Sequence, residues 1–244
     1  MTTTTKPNPL AVVTGASRGF GAAVAEALAG RGWRLVVDAR GGDALHHAAG
    51  RLGPVVRAAV VGDIADATHR TAIAEAVSAA VEAGDQLQLL VHNASTLGPI
   101  PMRRLDDLDP AALARVLAVN TIAPLALTQL LLPHLTAAGG CVVTLSSDAA
   151  VEAYETWGAY AASKAALDQM TAVLAAEQPL IRAYSFDPGD MRTQLHADAF
   201  PGEDISDRPP PESVVPALLR LLDERPPSGR FRGADLRLHQ GARA

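Results

Sequence analysis

Leu10-Ala11-Val12-Val13-Thr14-Gly15-Ala16-Ser17-Arg18-Gly19-Phe20-Gly21 is the stretch whose reading decides the fold. A short apolar run, Leu10 to Thr14, passes directly into a glycine-rich turn, and the turn opens an alanine-rich helical pattern from Gly21 to Arg31. Strand, glycine turn and helix in that order make a phosphate-binding unit. Glycines permit the tight turn and let a pyrophosphate approach the backbone. The helix start offers free N–H groups and the positive end of its dipole. Gly15, Ser17, Arg18, Gly19, Phe20 and Gly21 are therefore candidate dinucleotide contacts. An ordinary strand-to-helix turn is the plainer alternative, and motif and placement together weigh against it.

The same residues spell Gly15-Ala16-Ser17-Arg18-Gly19, the Gly-x-Ser-x-Gly pattern of a hydrolase nucleophile elbow. An elbow usually follows several strands, whereas this one ends the first. His239, near the terminus, is a poor candidate for the base. Ser17 reads better as a turn hydroxyl beside phosphate, and serine hydrolysis remains the lesser alternative.

Outward from this turn, short apolar runs alternate with alanine- and leucine-rich helical stretches, the rhythm of a parallel sheet covered by helices. Strands are expected at Leu10 to Thr14, Arg34 to Asp38, Val55 to Val61, Leu87 to His92, Cys141 to Ser146 and Ile181 to Phe186, with a weaker one near Ala234 to Leu238. Helices are expected at Gly21 to Arg31, Ala67 to Ala83, Pro110 to Ala137, Trp157 to Ala176 and Pro211 to Glu224. Pro124 should bend or offset its helix, because it lacks the N–H that would bond four residues back. The stretch 194–211 breaks the rhythm with prolines, glycines and mixed charge, and is long for a loop. It is expected to form a lid over the substrate.

With 244 residues, 48% of them hydrophobic, and no dividing linker, the chain should fold as one domain over 10–244 behind a flexible tail at 1–9. The tail carries neither an apolar signal core nor an arginine-rich amphipathic pattern, so a cytoplasmic protein is expected. A net charge of −5 and scattered arginines argue against nucleic acid and membrane surfaces, and point to small-molecule partners. Cys141 is the only cysteine and reads as a buried strand thiol. His46 and His47 lie on a polar helical segment without carboxylate or cysteine partners at ligand spacing, and no metal is expected. Asp106, Asp107 and Asp109 read as a charged loop and the start of a helix ahead of Pro110.

The second strand ends Val36-Val37-Asp38-Ala39-Arg40, in the region that faces the adenosine ribose of a dinucleotide. A carboxylate there favours NAD, whereas arginine favours the 2′-phosphate of NADP. Arg40 and Arg18 could clamp that phosphate, and Asp38 opposes this only if its side chain points at the ribose.

Farther along, Tyr160-Ala161-Ala162-Ser163-Lys164 sits behind Ser146-Ser147. A phenol and an ammonium four residues apart share one helix face, where the lysine charge should favour tyrosinate and lower the phenol's pKa. Alone, the spacing is weak; behind a dinucleotide turn it suggests a proton-transfer site. Tyr154 and Trp157 could line the substrate pocket, or equally serve the core.

From about Leu10 to Thr193 the chain resembles the classical short-chain dehydrogenases/reductases, through the glycine turn, the Ser-Tyr-Lys set and the strands between them. The resemblance implies a single-domain Rossmann fold, a doubly wound parallel sheet of about seven strands with helices on both faces. Asp63-Ile64 resembles the family's adenine-capping pair. His92-Asn93-Ala94-Ser95 stands where Asn-Asn-Ala-Gly is usual, with Asn93 and Ala94 retained. Asn120, in Val119-Asn120-Thr121, resembles the helix asparagine that holds a water near the lysine. Ser147 precedes Tyr160 by the family's thirteen residues. Pro188-Gly189-Asp190-Met191-Arg192-Thr193 resembles the turn flanking the nicotinamide, which implies cofactor contacts from Pro188, Gly189, Met191 and Thr193. Ala39 occupies the NAD-selecting position and Arg40 the NADP-favouring one, so NADP is the implied cofactor, with NAD the alternative. The glycine turn and Glu177-Gln178-Pro179 are similar to those of the sepiapterin reductase branch.

The implied reaction interconverts a carbonyl and an alcohol. Tyr160 is the general acid/base, Lys164 binds the ribose and tunes the phenol, and Ser147 holds the carbonyl oxygen. Asn120 would support the proton supply. The resemblance also implies a homodimer or homotetramer paired through the helices at 110–137 and 157–176. Asp190, Arg192, His196, Asp198 and Phe200 are candidate substrate contacts from the lid. A dinucleotide-binding regulator or scaffold is the competing class, and the intact Asn120, Ser147, Tyr160 and Lys164 set weighs against it.

Overall fold

A computed structural model describes residues 7–238. Residues 1–6 of the expected tail and His239 lie outside the described residues. Asn8 and Pro9 do not belong to a tail, because they open the first strand, β1 (Asn8–Val13). There they pair with β4 alone, while pairing with β2 begins only at Leu10, so Pro9's missing N–H falls where the strand has one neighbour. Asn8 Nδ2 also donates to Asp85 Oδ1 at 3.1 Å.

The remaining strands are β2 (Arg34–Ala39), β3 (Val56–Val61), β4 (Asp85–His92), β5 (Cys141–Leu145), β6 (Arg182–Asp187) and β7 (Gly229–Arg232). All seven run parallel in the order β3-β2-β1-β4-β5-β6-β7. The chain winds outward from β1 through β2 to β3, then crosses back to β4. The switch point thus lies between β1 and β4, where ligands of open α/β sheets bind.

Nine helices connect these strands: α1 (Gly19–Gly30), α2 (Gly42–Leu52), α3 (Ala67–Glu82), α4 (Pro110–Leu117), α5 (Ala123–Ala138), α6 (Gly158–Glu177), α7 (Gln194–Ala199), α8 (Val215–Glu224) and α9 (Gly233–Leu238), counted among the described residues. The period-2 alternation of the strands sorts the core into two layers. Val13, Val37, Val91 and Val143 face α1, α2 and α8 through Val24, Leu28, Leu45, Leu218 and Leu221. Val12, Val36, Leu90 and Val142 face α3 and α5 through Ile73, Val77, Leu127, Leu131 and Leu135. Strands buried on both faces have to read as continuous apolar runs, which is why β1, β2, β4, β5 and β6 are legible in the sequence; β3, at the sheet edge and only half-buried, reads as a strand through its valines.

The seventh is not. The expected strand at Ala234 to Leu238 is helix α9, and the strand lies earlier, at Gly229–Arg232. Its two arginines disguise it: Phe231 packs edge-on to Tyr184 with ring centroids 5.6 Å apart, while Arg230 is satisfied by ion pairs.

The expected helix from Pro110 to Ala137 is interrupted by a π-helical turn, Ala118–Ile122. Pro124 follows directly and has no N–H for the carbonyl of Asn120, so the wider turn absorbs the break at this point. Within 194–211, Gln194–Ala199 is helix α7, capped by the Thr193 hydroxyl, which accepts from the His196 N–H. Cys141 is buried, and burial pushes its thiol up to about 12.

Candidate active site

A cleft of about 910 Å³ opens over the C-terminal ends of the strands at the switch point. It lies at the upper end of the roughly 300–1,000 Å³ usual for small-molecule sites. Ser17, Arg18, Gly19 and Phe20 line it at the start of α1, whose first turn no side chain caps, so the leading N–H groups of that helix face the cleft. Gly15 and Gly19 hold φ of +67° and +58°, left-handed values that favour glycine. A Cβ at Gly19 would stand 3.6 Å from Thr193 across the cleft.

Gly21 has a different duty from the one expected. It does not line the cleft: a Cβ there would come within 2.4 Å of Asn93 Nδ2, so it serves the packing of the turn. Asn93 Nδ2 donates to the carbonyls of Thr14 and Gly15 at 2.8 and 3.1 Å. In return, Thr14 Oγ1 accepts from the N–H groups of Asn93 and Ala94 at 3.0 Å. The pair locks the ends of β1 and β4 together beneath the turn, and Asn93 and Ala94 also line the cleft.

At the adenosine side, Arg40 is exposed and lines the cleft with Asp63 and Ile64. Asp63 Oδ1 accepts from the Ala65 N–H at 2.9 Å. Asp38 does not present a free carboxylate. It is buried, with Oδ1 accepting from the Gly15 N–H and Oδ2 lying against His69 Nε2, each at 2.9 Å. His69 has no motif signal in the sequence. A cleft with uncapped helix N–H groups, glycines at the turn and an exposed arginine beyond β2 fits a phosphate-bearing dinucleotide.

Opposite the glycine turn, α6 brings Tyr160 and Lys164 to the cleft. The Tyr160 phenol lies beside the hydroxyls of Ser95 and Ser147, which favour its ionised form. Ser147 Oγ also donates to Asp148 Oδ1 at 2.9 Å, while the Ser146 hydroxyl turns away to Asp168 Oδ2 at 2.6 Å. Ser95, which differs from the family's usual glycine, thus becomes a neighbour of the phenol.

Lys164 Nζ lies 5.4 Å from the centre of the Tyr160 ring and donates to the Leu145 carbonyl at 2.8 Å. The expected lowering of the phenol is not what the folded chain exhibits. Burial drives Tyr160 above the usual tyrosine range, outweighing the two serine hydroxyls that pull it down. Burial also brings Lys164 down to about 8. Both groups are pushed towards their neutral forms, as desolvation requires.

Asn120, in the π-helical turn, is buried. Its Nδ2 donates to Thr96 O at 2.8 Å and Ser163 Oγ at 2.9 Å, and its Oδ1 accepts from the Thr96 N–H at 2.9 Å. The side chain is engaged in holding the Ser95–Thr96 loop against α6.

Pro188, Met191 and Thr193 line the cleft, whereas Gly189 does not: its N–H donates to Asp187 Oδ1 at 3.0 Å and fixes the turn. One residue without any sequence signal ties this side together. Arg230, from β7, bonds Asp168 Oδ2 at 3.1 Å, Asp187 Oδ2 at 2.9 Å and the Ser147 carbonyl at 2.9 Å.

Tyr154 and Trp157 do not line the cleft. The Tyr154 hydroxyl sits between Glu152 and Asp148, whose carboxylates hold its proton on. Trp157 packs between Tyr160 and Phe200, with centroid distances of 5.7 and 5.8 Å, so it backs the Tyr160 ring from the core. Of the lid candidates, Arg192 and Asp198 reach the cleft, while His196 is buried against Phe200. Ser17 has no hydrogen bond to a histidine among the described residues, which leaves the hydrolase reading without a base. No cluster of three histidine, cysteine, aspartate or glutamate side chains among the described residues is placed to hold a metal.

The family model described as short chain dehydrogenase matches residues 9–204. Sepiapterin reductase of Bos taurus is 36% identical over 199 residues, 76% of this chain and 74% of that protein. Sepiapterin reductase of Xenopus tropicalis is 33% identical over 238 residues, 91% of this chain and 85% of that one. Among solved structures, one from Escherichia coli CFT073, described as a short chain dehydrogenase complexed with NADPH, superposes with a TM-score of 0.85 at 30% identity. The match covers 93% of this chain and 97% of that one.

Proposed function

The chain belongs to the short chain dehydrogenase family, and we propose that it interconverts a carbonyl and a secondary alcohol on a small organic substrate with NADP(H), Tyr160 acting as general acid/base. The observation that carries this reading is that Tyr160 and Lys164 line the cleft wall that faces the glycine turn, with Ser147 beside the phenol just behind that wall. When bound, the nicotinamide supplies or accepts the hydride. Ser17, Arg18 and Gly19 would hold phosphate, and Lys164 the ribose hydroxyls. Gly15 shapes the turn beneath them, where its left-handed φ and the nearness of Asn93 leave no room for a side chain.

In the reductive direction, Tyr160 delivers its proton to the substrate oxygen as negative charge develops there, and the Ser147 hydroxyl, which here donates to Asp148, turns its proton to the same oxygen. In the oxidative direction the phenol must first lose its proton. Burial opposes that step, and the charged form of Lys164 favours it. Asn120 and Ser95 hold the loop beside the phenol.

Three observations support NADP over NAD: the exposed Arg40 at the cleft, Arg18 lining the same cleft, and the engagement of Asp38 with Gly15 and His69. The NADPH complex of the Escherichia coli relative agrees with them. Residues 194–211 serve as the substrate lid, within a single domain that begins at β1. Homodimer or homotetramer assembly is supported by the exposed Ile122, Leu125 and Leu130 in and beside α5 and by Val173 on α6. A monomer in light scattering at micromolar concentration would count against it. The apolar run Pro110–Ala138 has a mean hydropathy of 1.6, but its Leu127, Leu131 and Leu135 are in the core, consistent with a protein that acts away from membranes, in the cytoplasm.

Fluorescence titration with NADPH and NADH, on the wild type and Arg40→Ala, tests the cofactor reading. Tight NADPH binding that weakens in the variant supports it, and binding of neither nucleotide overturns it. A carbonyl screen with Tyr160→Phe as control then tests the reaction.

A further inference from the structure

Asp38 and His69 form a buried pair at the adenosine side of the cleft, and the residues around them come from four elements. Asp38 lies near the end of β2 and lines the cleft. Its Oδ1 accepts from the Gly15 N–H of the glycine turn, and its Oδ2 lies 2.9 Å from His69 Nε2. The side chains of His69 and Asp38 are only 5% and 3% exposed, so solvent cannot readily replace this contact.

His69 is held in place from two sides. It lies in the first turn of α3, which Asp66 caps by accepting from the Thr68 N–H at 2.9 Å. The end of β3 closes over the ring: a Cβ on Gly62 would stand 2.3 Å from His69 Nδ1. The imidazole therefore cannot swing towards β3, and its Nε2–H is directed at the carboxylate.

We infer that His69 is a positioning residue for cofactor choice: by engaging Asp38 Oδ2 it keeps that carboxylate from acting on the ribose, so that Arg40 and Arg18 receive a 2′-phosphate. The inference rests on the dinucleotide reading above. A carboxylate with an unpartnered oxygen at the end of β2 would favour a ribose 2′-hydroxyl, which it can accept from, and repel a phosphate. With both oxygens engaged, Asp38 instead becomes a brace for the glycine turn. A carboxylate one residue before the position of the NAD-selecting acid is thereby turned into part of the scaffold.

The test is a pair of titrations, NADPH and NADH, on wild type, His69→Leu and the double variant Asp38→Asn/His69→Leu, each followed by thermal melting. His69→Leu should weaken NADPH roughly tenfold and NADH much less, so that the ratio of the two affinities falls. Removing the unmasked charge in the double variant should restore the ratio. Equal losses for both nucleotides, or no restoration, would overturn the inference and leave His69 a packing residue. Failure of the wild type to bind either nucleotide would instead sink the dinucleotide reading. If His69→Leu does not fold, Asp38→Asn alone decides: its NADPH-to-NADH ratio should hold or rise, and a fall overturns the inference.

Discussion

Arg230 Nη2 donates to the Ser147 carbonyl at 2.9 Å, which joins the last strand of the sheet to the serine beside the Tyr160 phenol. The same guanidinium holds Asp168 on the helix that carries Lys164, and Asp187 ahead of the Pro188–Gly189 turn. One cation thus fixes three segments of the site relative to each other.

Arg230→Met should therefore act on stability and activity together. It leaves Asp168 and Asp187 without their cation in a mostly buried setting, at a cost of about 3 kcal/mol. Urea unfolding reads that loss. Adding Asp168→Asn should recover part of it, since it removes one of the two uncompensated charges.

Tyr160→Phe should retain NADPH binding and lose turnover by at least about a hundredfold, because the ring still packs against Trp157 while the proton donor is gone. Steady-state rates on any accepted carbonyl, paired with a binding titration, separate the two effects. Wild-type rates in this variant would remove Tyr160 from the mechanism.

Lys164 predicts a rise in stability on the alkaline side. Its folded pKa, about 8, lies below the unfolded 10.5, so between those values the unfolded chain binds the extra proton. Stability then increases with pH through this window, and below it the cost of charging the buried amine is fully present. Lys164→Met should be the more stable protein at pH 7, by up to about 3 kcal/mol, with the gap closing as pH rises. Melts at pH 7 to 9 check this where tyrosines of the unfolded chain are still about nine-tenths protonated.

His92 works in the acid range. Burial lowers it to about 3 from 6.5, so the folded chain resists the proton that the unfolded chain takes up. Stability should fall as pH drops from 6.5 towards 3, by about 2 kcal/mol at pH 5 from this residue alone. His92→Asn should flatten that acid limb, and unchanged pH dependence in the variant would show that another group is responsible.

Local pattern suffices for the parallel sheet and its helical cover, while the proposed active set is legible through the resemblance to the family. Strands buried on both faces must be continuously apolar, the half-buried edge strand β3 is rich in valine, and a phosphate turn must carry glycines where φ is positive, so β1 through β6 and Gly15 to Gly19 are written in the chain itself. Tyr160 and Lys164 share a helix face by spacing alone, whereas Ser147 joins them in the sequence only through the resemblance to the family. Whatever depends on partners far apart in the chain emerges only on folding. The strand Gly229–Arg232 is hidden because Arg230 is neutralised by Asp168 and Asp187, which no local pattern reveals. Asp38 changes meaning once His69 and Gly15 close on it, and Gly21 serves Asn93 rather than a ligand. The direction of the Tyr160 shift also belongs to the fold: helix spacing puts a lysine near the phenol, but the depth of burial sets which force wins.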